Sequence, residues 1–216
     1  MRSAAGTAAP SRYGYHPDHD VPELRRFGSR WLLARMRALA GPLRGQRFCL
    51  ALSGGLDSSV LLQTLAQLRG RAGFRLRALH VDHGLQPASA RWAAAARTRA
   101  RRLRVPCTVV RVQIQPKRGE SLEAVARRER YAALLARLTA GETLLTAHHL
   151  DDQLETVLLA LMRGSGVRGL AAMAPTAVMA GVRLLRPLLP VSRLQLEAYA
   201  RNRRLAFSED PSNSDE

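Results

Sequence analysis

Short apolar runs alternate along this chain with longer stretches in which apolar residues recur every three to four positions. Leu50, Ala51 and Leu52 read as a buried strand, and Val60, Leu61, Leu62 and Leu65 follow at helical spacing. The same alternation repeats to the C-terminus. Predicted strands are Arg47 to Leu52, Phe74 to Val81, Cys107 to Ile114, Thr143 to Ala147 and Val182 to Arg186. Predicted helices fill the gaps at Asp57 to Arg69, Ser89 to Leu103, Ser121 to Leu138 and Leu150 to Arg163, with a last one near Ser192 to Arg203. Ahead of them stand a polar tail to about Asp20, read as flexible, a helix around Pro22 to Leu39 and a turn at Gly41 to Gly45. Strands separated by helices of this length predict an α/β fold: a doubly wound, parallel, five-stranded sheet of Rossmann-like type with helices on both faces. The expected division is a tail over 1–20, a helix and turn over 21–45 and a catalytic domain over 46–216.

In such a sheet, ligands gather at the carboxyl ends of the strands. SGGLDS (53–58), HVDHGL (80–85) and AHHLDDQ (147–153) all lie at such ends. In SGGLDS two glycines permit positive φ and close approach to a ligand, and the following helix points unpaired N–H groups back at the turn. Ser53, Gly54, Gly55, Leu56, Asp57 and Ser58 therefore form a candidate phosphate cradle. It is not the Walker type, because no Gly-Lys-Ser/Thr follows. An acid beside phosphates is repelled unless Mg²⁺ lies between them, which makes Asp57 the candidate metal ligand. The simpler alternative is a favourable charge in the first helical turn, with Ser53 or Ser58 as cap.

Charge adds a partner. The 216 residues carry 34 basic against 17 acidic side chains, a formal net charge of +17 with pI near 11.6. Such an excess suits a polyanion, since arginines release counterions from a phosphate backbone. Lys117 is the only lysine, so coding bias toward Arg explains the same composition. Hydrophobic residues at 46% suffice for a core, and no apolar run approaches the roughly 18 residues that span a bilayer. The chain is expected to be cytoplasmic, with no membrane contact. Cys49 and Cys107 lack metal-ligand spacing and read as reduced structural residues.

SGGLDS fits the SGGxDS signature of the ATP pyrophosphatases, the PP-loop enzymes. HVDHGL, ARRERY (126–131), TAHHLDDQLETVLLALMRGSGVRGLAAM (146–173), RPLLPVSRLQLEAYA (186–200) and EDPSN (209–213) follow in order. Together they resemble the N-terminal catalytic domain of the tRNA(Ile)-lysidine synthetases. The resemblance implies a ligase that uses ATP and Mg²⁺ to adenylate the wobble cytidine of tRNA(Ile) with a CAU anticodon at C2, and then joins free L-lysine there. Its partners would be tRNA(Ile), lysine and, in a homodimer, a second copy. The chain ends at Glu216, short of the C-terminal tRNA-binding domains that the resemblance also implies.

On a helix, Asp151, Asp152 and Glu155 share one broad face, an arrangement that is destabilising unless it meets a cation such as a lysine ammonium or Mg²⁺. An acidic first turn stabilised by the helix dipole is the alternative. His148 and His149 are candidates to orient a carboxylate or accept the amine proton, and the resemblance favours His149. Arg127 is assigned to the α-phosphate or tRNA, with Arg130 as its competitor. His83 and Gly84 are assigned to the adenosine end of the nucleotide, and Arg163 and Arg168 of RGSGVRGL to tRNA phosphate. The catalytic set is thus Asp57, Arg127, His149, Asp152 and Glu155; Asp151, Asp152, Glu155, Arg163 and Arg168 bind substrate. Two other readings stand beside this one. A tRNA cytidine thiolase would need cysteines for an iron–sulfur cluster. A non-catalytic ATP-binding module would leave the acidic helix remote from the phosphate loop.

Overall fold

The computed structural model describes residues 27–84, 86–164 and 172–207. The elements run α1 (Ser29–Ala40), β1 (Arg47–Ala51), α2 (Leu56–Ala72), β2 (Arg75–Asp82), α3 (Ser89–Arg102), β3 (Cys107–Arg111), α4 (Leu122–Leu135), β4 (Glu142–Leu145), α5 (Leu150–Met162), β5 (Thr176–Met179), β6 (Val182–Leu185) and α6 (Arg193–Asn202). All five expected strands form and lie parallel, but the sheet has six strands, in the order β3-β2-β1-β4-β6-β5. The correction is β5, antiparallel to β6. Its pairing of Met179 with Val182 leaves a two-residue turn, Ala180 and Gly181, both at positive φ. That is the turn geometry whose twist matches a hairpin. The expected tail, over 1–20, lies outside the described residues.

Strand side chains alternate between two cores, as the two-residue repeat requires. Phe48, Leu50, Leu145 and Leu185 face one side, where α1, α2, α3 and α6 supply Leu32, Met36, Leu61, Leu65, Ala96, Ala100 and Leu196. Cys49, Leu144 and Leu184 face the other, against Leu134 of α4. Through Leu32 and Met36, α1 contributes to the same core as the sheet. Helix α2 is buried along most of its length because it lies between the sheet, α1 and α6. Helix α5 is different: it buries no residue fully, and Leu154 (60% exposed) and Met162 (84% exposed) lie open to solvent.

A polar tie crosses the second face. Arg77 of β2 reaches over β1 to Glu142 at the start of β4, with Nε donating to Oε1 at 2.7 Å and Nη2 to Oε2 at 2.6 Å. Arg77 also donates to the Arg137 carbonyl, and the Thr139 N–H donates to Glu142. The Arg77 guanidinium holds the Glu142 carboxyl down at about 2, with the Thr139 N–H assisting. A depressed carboxyl stabilises the fold fully above its unfolded pKa and loses that contribution as pH falls through its folded value. Glu142→Gln should therefore lower unfolding free energy by about 1–3 kcal/mol near neutral pH. It should also flatten the stability profile between pH 4.5 and 2. Urea melts at a series of pH values check both; an unchanged acid limb in the variant would remove this pair from the account.

Candidate active site

The strand order reverses between β1 and β4, so β2 and β3 lie to one side and β6 and β5 to the other. A crevice opens at that place, outside the carboxyl ends of the two strands. The β1 end carries SGGLDS and the β4 end carries Thr146, His148 and His149, which brings the two motifs side by side.

The loop after β1 is tightly held. Gly54 adopts φ 95°, which a side chain would strain. Its N–H donates to Ser58 Oγ at 3.1 Å, Ser58 Oγ lies 2.9 Å from Ser53 Oγ, and the Gly55 N–H donates to Ser53 Oγ at 3.4 Å. His80 Nδ1 donates to the Leu52 carbonyl at 2.8 Å. Arg99 of α3 donates to the Gly54 carbonyl at 3.1 Å and to Ser59 Oγ at 2.9 Å. These bonds hold the loop from within and from β2 and α3, and they engage the Gly54 and Gly55 N–H groups. At its front, α2 starts from Gly55 with no side-chain cap, so neither Ser53 nor Ser58 fills the capping role. The first-turn N–H groups and the positive end of the helix dipole are left for an anion.

Asp57 lies at this front. Its Oδ1 is buried and has no hydrogen-bond partner, and burial pushes its pKa up against the opposing pull of His149 and Arg193. An unpartnered buried carboxylate oxygen costs about 1–3 kcal/mol or more, so the position suits a cation. Among the described residues no group of three His, Cys, Asp or Glu side chains could hold a metal alone. Asp57 fits Mg²⁺ as a single protein ligand, with phosphate oxygens and water completing the shell.

His149 joins the two motifs. Its Nε2 lies 3.6 Å from Asp57 Oδ2 and 3.7 Å from Asp152 Oδ2. Its Nδ1 accepts the Asp151 N–H at 3.2 Å, and Asp152 Oδ2 accepts the His149 N–H at 2.8 Å, so His149 is also the N-cap of α5. An acceptor at Nδ1 puts the ring proton on Nε2, toward the two carboxylates. The 3.4 Å approach of Nδ1 to Asp151 Oδ2 is then a contact and no hydrogen bond. Asp151 instead accepts the Arg193 N–H at 2.9 Å, tying α5 to α6.

His148 is half-buried, with Nδ1 2.9 Å from Thr146 Oγ1. Burial drives its pKa down to about 4; Asp152 opposes the shift, while Arg186, Arg127 and Arg130 add to it. Those three arginines are near enough for their charge to act on His148. Arg127 stacks over the Tyr131 ring at 5.6 Å, and Arg130 Nε donates to His83 Nε2 at 3.3 Å. His83 keeps a buried, unpartnered Nδ1, and the Gly84 N–H donates to Asp82. Glu155 is exposed one turn along α5. Arg163, the α5 C-cap, is about 18 Å from the Asp151 end and is not part of the cluster. Arg168 lies outside the described residues.

Sequence reasoning missed Arg99 and Arg186. Arg186 is buried at the end of β6, donates to the Ala174 carbonyl at 2.7 Å and leaves Nε without a partner. Cys49 and Cys107 lie on β1 and β3 with β2 between them, about 10 Å apart, so they cannot share a cluster iron. Burial also pushes the Cys49 thiol up to about 12.

Comparison with known proteins agrees with this geometry. The chain is 52% identical over 182 residues to a tRNA(Ile)-lysidine synthase of Alkalilimnicola ehrlichii, and 52% over 181 residues to one of Pseudomonas aeruginosa. These alignments cover 84% and 83% of this chain but 40% of each relative, so the chain spans about two fifths of the length of the curated relatives it matches. Among solved structures, the U34-tRNA thiolase NcsA from Methanococcus maripaludis with its [4Fe-4S] cluster superposes with TM-score 0.66 at 17% identity, over 83% of this chain and 65% of that one. NMN synthetase from Francisella tularensis superposes with TM-score 0.51 at 16% identity, over 82% and 70%. Both likenesses are of fold. The family model of the PP-loop domain matches residues 31–216, and with SGGLDS in place at the switch of strand order, the chain belongs to the PP-loop family.

Proposed function

We propose that this chain is the catalytic domain of an ATP-dependent carbon–nitrogen ligase that makes lysidine at the wobble cytidine of tRNA(Ile). The observation that carries the reading is the contact of His149 with Asp57, which puts the acidic tip of α5 at the phosphate loop. A passive ATP-binding module has no use for that arrangement. The names of the relatives support the choice of tRNA(Ile) and lysine. In this reading the catalytic domain is 46–216, preceded by a helix and turn over 21–45, of which α1 packs on it, and the work is done in the cytoplasm.

The first-turn N–H groups of α2 bind the ATP phosphates, and Asp57 would hold Mg²⁺, which would neutralise phosphate charge. Arg127 contacts the α-phosphate or the RNA, and His83 with Gly84 borders the adenosine. The C2 oxygen of the cytidine bonds to the α-phosphorus as the α–β bridge breaks, and pyrophosphate leaves. The ε-nitrogen of lysine then bonds to C2 as the carbon–oxygen bond to AMP breaks. Asp152 and Glu155 hold the lysine ammonium, Asp151 braces the helix that presents them, and Arg163 with Arg168 contacts tRNA phosphate. His149 orients Asp57 and the helix tip. Burial keeps the His148 ring neutral beside Thr146.

The direct test is incubation with ATP, Mg²⁺, labelled lysine and an isoleucine tRNA transcript, scoring lysine bound to RNA. Label is expected only with all four present, and its absence alongside ATP binding would leave the passive module. Asp57→Asn should keep the melting temperature and abolish pyrophosphate release; release at the wild-type rate would take Asp57 out of the mechanism.

Glu155→Gln separates lysine binding from metal or scaffold work, because the exposed side chain supports no other part of the fold. Loss of one charged contact, about 1.5–3 kcal/mol, should raise the KM for lysine by roughly tenfold or more while the KM for ATP stays put. Equal losses for both substrates would assign Glu155 elsewhere.

A further inference from the structure

We propose that the outer edge of the molecule along α3 and β3 binds the phosphodiester backbone of RNA, at a surface apart from the phosphate loop. Arg97 and Arg101 lie one turn apart on α3, and Arg104 follows on the turn before β3. All three are exposed, and among the described residues none has a carboxylate partner. They surround an open cavity of about 550 Å³ floored by Thr98, Pro106 and Cys107. The α3 dipole accounts for basic residues in its last turn, Arg101 among them. It does not account for Arg97, a turn earlier, whose like-charge neighbour at i+4 costs the helix a few tenths of a kcal/mol. Guanidinium forks gathered at a concavity match the planar oxygens of phosphate.

The choice of a strand over a free anion comes from what lies further along the same edge. A second cavity, of about 610 Å³, opens at the other end of α3, lined by Asp82, Gly84, Gln86, Ser89, Arg111 and Gln113; Arg111 Nε lies 3.6 Å from Asp82 Oδ2, and the rest of its exposed guanidinium is open to a phosphate. The helix between the two cavities is about 21 Å long. A backbone laid from Arg104 past Arg97 and Arg111 arrives at Gly84, beside His83 and the catalytic crevice. A single phosphate would fill one cavity and have no reason to reach the other. The same helix turns Arg99 inward to the Gly54 carbonyl, so the loop clamp and the outer arginines occupy different faces of one element.

The proposal rests on the reading of an RNA substrate and is tested apart from it. The triple variant Arg97→Gln/Arg101→Gln/Arg104→Gln is compared with Arg30→Gln/Arg37→Gln/Arg71→Gln, which removes the same charge from exposed positions on α1 and α2. Binding of a labelled tRNA transcript is followed by anisotropy across salt concentrations. The α3 variant should lose roughly tenfold or more in affinity at low salt and about two units of the log–log salt slope, with fluorescent ATP binding within about twofold of wild type. The control should lose much less. Cys107 gives a second readout on unaltered protein: tRNA, and not ATP, should slow its alkylation, whereas Cys49 is fully buried. Wild-type affinity and slope in the α3 variant, equal loss in the control, or absence of RNA binding by the wild-type chain would each overturn the proposal. Lysine transfer reports separately: transfer with an unaffected α3 variant defeats this surface alone, and RNA binding without transfer defeats the ligase reading alone.

Discussion

The pairing of β1 with β4 is the constraint on which the rest of the molecule depends. Two strands distant in sequence become neighbours, in a register that sets Arg47 against Glu142 and Leu50 against Leu145. Because both strands are parallel, their carboxyl ends open on the same side, and the loops after them must share a crevice. The Arg77–Glu142 tie spans this pairing from β2, so a polar bond at one end of the strands supports the geometry used at the other.

Around that crevice, rigidity and exposure are divided between the two ends of each hydrogen-bonded group. The SGGLDS backbone is held by its own Ser53 and Ser58 and by Arg99, and His80 holds Leu52 just before it. Other groups at the crevice are left short of partners: the start of α2 and the buried Asp57 Oδ1 and His83 Nδ1. Unfolding relieves those costs, so the site is a local debit against the buried cores beside it. His149 adds a second economy, since one ring caps α5 and faces Asp57 at the same time.

How much of this was legible follows from how local each signal is. The strands β1 and β4 hold short apolar runs and β2 mixes apolar with polar residues, and each is ended by glycine or polar residues, so their identity survives without any knowledge of neighbours. The β5–β6 hairpin carried its own signal, Ala180-Gly181 between TAVM and VRLL, but Ala is not a residue that announces positive φ. SGGLDS was readable because backbone geometry there dictates residue type. Arg99 and Arg186 were not, because a long side chain among many arginines shows its target only once α3 and β6 are placed. His149 as a cap was hidden for a related reason: histidine is not among the usual capping residues, and its partner N–H groups belong to a helix already explained by Asp151 and Asp152.

The two ends of the sheet differ in a way that bears on solubility. Among the described residues, β3 and β5 each have one side without a neighbouring strand. Beside β3 stand Arg97, Arg101, Arg104 and Arg111, whose charge repels any second strand that approaches in register. The four residues of β5, Thr-Ala-Val-Met, carry no charge, and Val178 is 76% exposed. Among the described residues, shortness guards that edge. Of the two edges, β5 is therefore the one expected to pair between copies in concentrated or heated solution, and a single charged residue in place of Val178 is the change expected to oppose it.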